Sequence, residues 1–388
     1  MTQLALQFRG HIDEWPMGPA TVLLSRDEDA PNEFVLYWWL KNEPNHTSSR
    51  QALFEYDPAI NGFNPTLLFS INERLVPGTI AIPAQELEYL TASVIKLTLI
   101  DDTLQLNWQL SGVNAKNCTF LLISNLAENK EFPITLCEKW ADFRDWANSA
   151  RDSFGAAAYR GHGSQKFKLQ TTLSRAGRTR IDRYEVDTLR PFQNIAEVIL
   201  DRHVSLSDGQ SYTHLLGLAQ HHGLPTPLLD WTRSPYIASY FAFSDALENA
   251  RDPEIHTHVR IYALSGQYYR HEYSEEVVLP TYAPFAKPLS ISALGNPRLH
   301  AQQGIFLATN VVDLEQFLTH RQVGNVSTIM AADIPIKCMQ DAMKDLEFMG
   351  ITANSLFPGL DGACRHLKQK MLLAKTNLFS ERTPEEPR

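Results

Sequence analysis

The strongest constraint on this fold is an alternation. In Leu104-Gln105-Leu106-Asn107-Trp108-Gln109-Leu110 every second residue is apolar. A period of two puts those side chains on one face of a strand and the amides on the other, which requires a sheet with one wet face. The rest of 1–130 has the same texture. Ala20–Leu24, Glu33–Leu40, Ser93–Ile100 and Cys118–Ser124 read as short strands. Pro31-Asn32, Asn61-Gly62, Pro77-Gly78 and Ser111-Gly112 read as the turns between them. Regular short strands predict an all-β sandwich or barrel over residues 1–132. No catalytic constellation stands in it. It reads as a binding or regulatory unit, or as a structural domain that helps assembly.

The texture changes near Pro133. Trp140, Phe143, Trp146 and Ala147 recur at helical spacing within Cys137–Asp152, residues 255–264, Gln303–Thr309 and Thr328–Ile334 read as strands, and 338–349 as a helix. The second half is therefore α+β. Its polar, Pro-rich end, Glu381–Arg388, is expected to fray. At 44% apolar and 20% charged residues the chain can bury an ordinary core. A net charge of −9 argues against coating nucleic acid by bulk charge and leaves a local basic groove open. The four cysteines form no C-x-x-C pair and no zinc spacing, so they read as reduced thiols and no metal is expected. With no signal-like N-terminus and no long apolar run, a cytoplasmic protein without membrane contact is expected.

Several residues carry possible chemistry. Arg160 lies between the small run Gly155–Ala158 and Gly161. A guanidinium at a strand end binds phosphate or carboxylate bidentately, and glycine lets a ligand approach; the alternative is an ion pair with a core carboxylate. His162 and Gln165 follow, as pocket or loop residues. Ser234 before Pro235 is a strong helix start. Asp230, Trp231 and Thr232 precede it, where backbone donors and the helix dipole favour a polar or anionic ligand. Trp231 is either a stacking ring or core. His221 and His222 have no evident third metal ligand; a His221–Asp230 bond is the structural alternative.

Arg160, Lys166, Lys168, Arg175, Arg178, Arg180, Arg183 and Arg190 outnumber Asp182, Glu185 and Asp187 over residues 160–190. This run can grip a phosphate-rich partner such as RNA or DNA, or stand as a solvated loop. The lack of interleaved aromatics in Arg175–Arg183 favours the loop. Phe8-Arg9-Gly10-His11 echoes Tyr159-Arg160-Gly161-His162, but nothing after it matches.

Three stretches together resemble the FRG domain, named for its Phe/Tyr-Arg-Gly motif. They are Trp140–Phe143 with Ala158–His162, then Ala219–Thr232 running on into Ser234–Ala242, then Arg298–Phe306. A closing segment, Leu356–Gly362, is also similar. The resemblance spans 137–372, leaving 1–132 uncovered and 373–388 as a tail. Pro227 departs from the pattern, where many relatives have Arg. The resemblance extends, at greater distance, to the ADP-ribosyltransferase fold, a split sheet gripping NAD. It implies an NAD-dependent transferase of the kind found in bacterial toxins and antiphage effectors, with the β domain sensing or recruiting and a protein or nucleic acid as acceptor. Arg160 would clamp the NAD phosphates beside Gly161 and His162. Asp230, Trp231, Thr232, Ser234 and His221 would shape the nicotinamide-ribose site. Glu276, in Ser274-Glu275-Glu276-Val277-Val278-Leu279, or Gln303 would act on the ribose. A non-catalytic nucleotide- or protein-binding module and a metal-independent nuclease using His221, His222 and the basic run are the competing expectations.

Overall fold

The computed structural model describes residues 6–12, 20–40, 49–59, 62–71, 77–78, 94–100, 103–110, 116–124, 132–249, 257–277, 279, 284–291, 297–321 and 327–380. The expectations at Asn61, Ser93, Ser111-Gly112, residues 255–256 and Glu381–Arg388 lie outside these.

The first part is one antiparallel sheet of β1 (Gln7–Ile12), β2 (Ala20–Ser25), β3 (Glu33–Leu40), β4 (Ser49–Asp57), β5 (Gly62–Ile71), β6 (Pro77–Gly78), β7 (Val94–Ile100), β8 (Thr103–Leu110) and β9 (Lys116–Ser124). The order is β4-β3-β2-β1-β9-β8-β7-β5-β6, and β4 also pairs with β5. That extra pairing closes the sheet into a near-barrel. Its thinnest seam is β5–β7, joined at Phe63↔Ile95. The alternation in β8 turns Leu104, Leu106 and Trp108 into the barrel, against Phe8, Leu24, Phe34, Trp38 and Phe54. The Pro77-Gly78 pair, expected as a turn, is instead a short edge strand on Ser70 and Ile71. Proline is tolerated there because an edge strand has no second ladder to serve.

The second part is mixed α+β. Its strands are β10 (Ile134–Leu136), β11 (Ala156–His162), β12 (Leu228–Thr232), β13 (His258–Ser265), β14 (Ala286–Leu289), β15 (Gly304–Thr309) and β16 (Ile329–Pro335). Its helices are α1 (Trp140–Asp152), α2 (Thr172–Arg175), α3 (Ile181–Tyr184), α4 (Arg190–Leu200), α5 (Gly209–His221), α6 (Pro235–Asn249), α7 (Gly266–Glu272), α8 (Pro297–Ala301), α9 (Leu314–His320), α10 (Met339–Phe348), α11 (Ala353–Leu356) and α12 (Leu360–Ser380). A π-helical turn, Glu185–Leu189, joins α3 to α4. Helix α12 runs past residue 372, so the boundary expected there falls within a helix.

The sheet order is β10-β16-β13-β11-β12-β15-β14. Strand β11 follows β13 along its length but meets β12 at one register pair, Tyr159↔Thr232. The sheet therefore opens between β11 and β12. Helix α6 starts as its sequence predicts, with Ser234 Oγ accepting the Ile237 N–H at 3.3 Å. It buries Ile237, Tyr240 and Phe243 against Trp140, Phe143 and Trp146 of α1. Emptying a site such as that of Phe243, which is fully buried, costs about 3–5 kcal/mol. Gly161 is where α6 comes closest to the sheet. A Cβ on it would stand 2.0 Å from the Ala238 carbonyl oxygen, so this glycine serves helix–strand packing.

The barrel and the mixed sheet are joined by polar contacts. Gln7 donates to the Asn310 carbonyl (2.8 Å) and accepts the Val312 N–H (2.8 Å). Arg9, in the four-residue echo, donates to Gln316 (2.8 Å), so it belongs to this junction. Most of the junction is the second half of the basic run. Buried Asp27 accepts the Thr179 and Arg180 N–H groups at 2.8 and 3.0 Å and pairs with Arg183 at 3.0 Å. Arg180 binds Glu33 and Asp182, both at 2.7 Å, and Arg178 binds Asp29 at 2.8 Å. These arginines are paired with barrel carboxylates rather than standing free in a solvated loop.

Candidate functional site

A cleft of about 980 Å³ lies where the sheet opens. One wall is β11 with the 166–175 segment, and the other is β12 with the end of α5 and the Gln302–Phe306 stretch. The floor and far end come from α6, Phe357 and α12.

Arg160 projects from β11 into the opening. Its Nε donates to His162 Nε2 at 3.1 Å, and its Nη1 donates to the Asp230 carbonyl. Both acceptors are neutral. The His162 ring accepts at Nε2, so its proton sits on Nδ1, which donates to the Phe167 carbonyl at 3.1 Å. Burial, with the adjacent Arg160 charge, pushes the His162 pKa down to about 3. Burial also lowers the Arg160 pKa; the Asp230 charge opposes this and the Arg175 charge adds to it. Arg175 itself donates to the Gln170 carbonyl at 2.7 Å. Among the described residues, no carboxylate lies within ion-pairing distance of either guanidinium.

The lining carries Arg160, Lys166, Lys168, Arg175, Arg298 and Arg365 against Asp230 and Asp245. Two of these cations have carboxylate partners outside the cleft: Lys168 stands 3.9 Å from Asp313, and Arg365 is 3.0 Å from Glu248. Asp230 accepts from Gln220 at 3.0 Å, so the His221–Asp230 bond weighed as an alternative is replaced by one from the preceding residue. His221 lines the cleft with its pKa lowered by burial, then by His222 and Arg298.

The cleft thus gathers Arg160, Gly161, His162, His221, Asp230, Trp231 and Thr232. The Trp231 ring is 3% exposed and packs with Leu229, Tyr262 and Leu307, so it offers no stacking face. Thr232 Oγ1 is tied to the Gln302 carbonyl at 2.8 Å. Ser234 is spent on the helix cap and does not line the cleft. Neither does Glu276, whose carboxylate lies over Gly209 at the start of α5, where the helix dipole favours negative charge. Gln303 is exposed, with a left-handed φ of 49°, and this turn sends Gln302 into the cleft in its place.

Sequence reading missed Gln220, Arg298, Gln302, Phe357 and Arg365 as cleft residues. Arg298 and Gln302 stand in the third stretch quoted above and Phe357 in the closing one. Arg365 had no local signal.

Fold and site together define a mixed α+β domain whose sheet opens onto an arginine-lined cleft. The family model of the FRG domain matches residues 155–251, so the chain carries an FRG domain. The matched segment holds β11, α5, β12 and α6 and leaves Arg298, Phe357 and Arg365 outside it. No curated protein and no solved structure matches the chain. Among the described residues, no helix is long and apolar enough to cross a membrane.

Proposed function

We propose that the cleft binds NAD by its phosphates and that the FRG domain acts as an ADP-ribosyltransferase-like, NAD-consuming enzyme. The observation that carries this reading is the pair Arg160 and Arg175. Both guanidiniums line the same cleft, each donates to neutral acceptors, and among the described residues neither has a carboxylate within ion-pairing distance, which suits the cleft to an anion. A diphosphate supplies that charge in a form that planar guanidiniums bind bidentately. The opening between β11 and β12 supports the split-sheet comparison, because it leaves room for a ligand between two half-sheets.

In the proposed reaction an acceptor nucleophile forms a bond to the ribose C1′ as the C1′–N bond to nicotinamide breaks. The acceptor loses a proton, and nicotinamide leaves with the bonding pair. Positive charge develops on the ribose, and a nearby carboxylate stabilises it. Glu276 and Gln303 do not line the cleft, so this role passes to Asp230. Gln220 fixes its Oδ2, and its own carbonyl holds Arg160.

Thermal unfolding with NAD and chromatographic detection of nicotinamide test the reading. NAD at about 100 times Kd is expected to raise Tm by about 5 °C. Arg160→Ala removes the rise. Asp230→Asn keeps it but slows nicotinamide release by about a hundredfold. A folded protein with no shift at millimolar NAD sinks the proposal. A shift without nicotinamide release over long incubation sinks the transferase and leaves a nucleotide-binding module.

A further inference from the structure

The cleft holds a second cationic group, built differently from the first. Arg298 of α8 and Arg365 of α12 each place their guanidinium carbon 4.8 Å from the centre of the Phe357 ring. Phe357 also meets Phe241 of α6 edge to face at 6.0 Å. One phenyl ring therefore orients two arginines. Arg365 is engaged by Glu248, whereas Arg298 is exposed and, among the described residues, has no carboxylate within ion-pairing distance. The Arg298 charge is felt by His221, while the cation felt by Arg160 is Arg175. The cleft thus presents two anion-seeking groups, Arg160 with Arg175 on the β11 side and Arg298 on the α8 side.

A diphosphate seated on Arg160 and Arg175 leaves Arg298 without an anion of its own. We infer that the preferred ligand carries a further phosphate, a phosphomonoester on a ribose, and that Arg298 is the specificity-determining residue that receives it. The stack on Phe357 favours this use. It holds the guanidinium plane still at low entropic cost and leaves its N–H edge for a phosphate. This inference rests on the diphosphate reading of the cleft and names the class of nucleotide within it: a phosphorylated dinucleotide of the NADP type in preference to NAD.

Titration calorimetry with NADP and NAD tests it on wild type and Arg298→Gln. NADP is expected to bind wild type about tenfold more tightly, a charge-assisted hydrogen bond's share. In Arg298→Gln the preference disappears, with NADP losing about tenfold more affinity than NAD. Equal affinities in wild type overturn the inference, and so does an equal loss for both ligands in the variant. Failure of both dinucleotides to bind overturns the diphosphate reading itself. Adenosine 2′,5′-bisphosphate and 3′,5′-bisphosphate, titrated separately against adenosine 5′-monophosphate, identify the ribose oxygen. If neither binds more tightly than the monophosphate, Arg298 reads no ribose phosphate and the inference fails.

Discussion

The basic run contains two sets of arginines that differ in what holds them. Arg178, Arg180 and Arg183 face the barrel and meet Asp27, Asp29 and Glu33. The hydrogen bonds that Arg183 donates to Asp29 in particular raise its pKa above the ordinary value. Arg160 and Arg175 face the cleft and meet carbonyls and an imidazole, and burial lowers the Arg160 pKa. The first set is complete as folded. Among the described residues, the second has no carboxylate within ion-pairing distance. One chain segment therefore carries both the cations that fasten two domains and the cations that line the cleft. The partner, not the residue type, separates them.

The barrel side is expected to respond most to mutation. Asp27 is fully buried, and its loss leaves the Thr179 and Arg180 N–H groups without an acceptor. Asp27→Ala should cost about 3 kcal/mol in urea unfolding. A variant as stable as wild type would mean that the junction does not fasten the domains and would dissolve the distinction drawn above.

The contrast was only half legible in the sequence. Local signals read well for the β8 alternation and the Ser234-Pro235 helix start, whereas Arg160, expected at a strand end, lies inside β11, which runs on to His162. The arginine partners were beyond such rules, because Arg183 and Asp27 are 156 residues apart. Glu276, which the resemblance implies would act on the ribose, stands apart from the cleft. Among the described residues there, Ser274 makes an isolated bridge with Leu289, and the Glu276 carboxylate settles on a helix start. Gln303 was missed by one residue, since a single left-handed φ exchanges it with Gln302. The Arg298–Phe357–Arg365 stack joins three segments that no sequence period relates.

On the cleft side, His162 makes the next test. Its folded pKa, about 3, lies below the unfolded value of 6.5. Between these values the unfolded chain binds the extra proton, so stability is present above pH 6.5 and is lost as pH falls towards 3. From pH 7.5 to 5 the loss from this group is about 2 kcal/mol. His162→Gln should keep an acceptor for Arg160 and flatten that part of the pH profile. Equal slopes in wild type and variant would mean that His162 charges in the folded state, and Arg160 would then face a cation where a neutral acceptor is required.

The smallest effect on stability is expected at Arg175, and there the comparison is sharpest. Arg175 is exposed, and its bond to the Gln170 carbonyl is local. Arg175→Gln should therefore leave the unfolding midpoint within about 0.5 kcal/mol. It should also weaken pyrophosphate binding about tenfold, because one guanidinium of the pair is lost. Arg178→Gln is the matched control: it removes a surface ion pair worth at most about 1 kcal/mol and leaves pyrophosphate affinity unchanged. The two variants should thus move opposite observables although their positions are three residues apart. If Arg175→Gln instead lowers stability and spares pyrophosphate binding, Arg175 belongs with the fastening arginines. Of the pair on which the proposed diphosphate site rests, the cleft would then keep Arg160 alone.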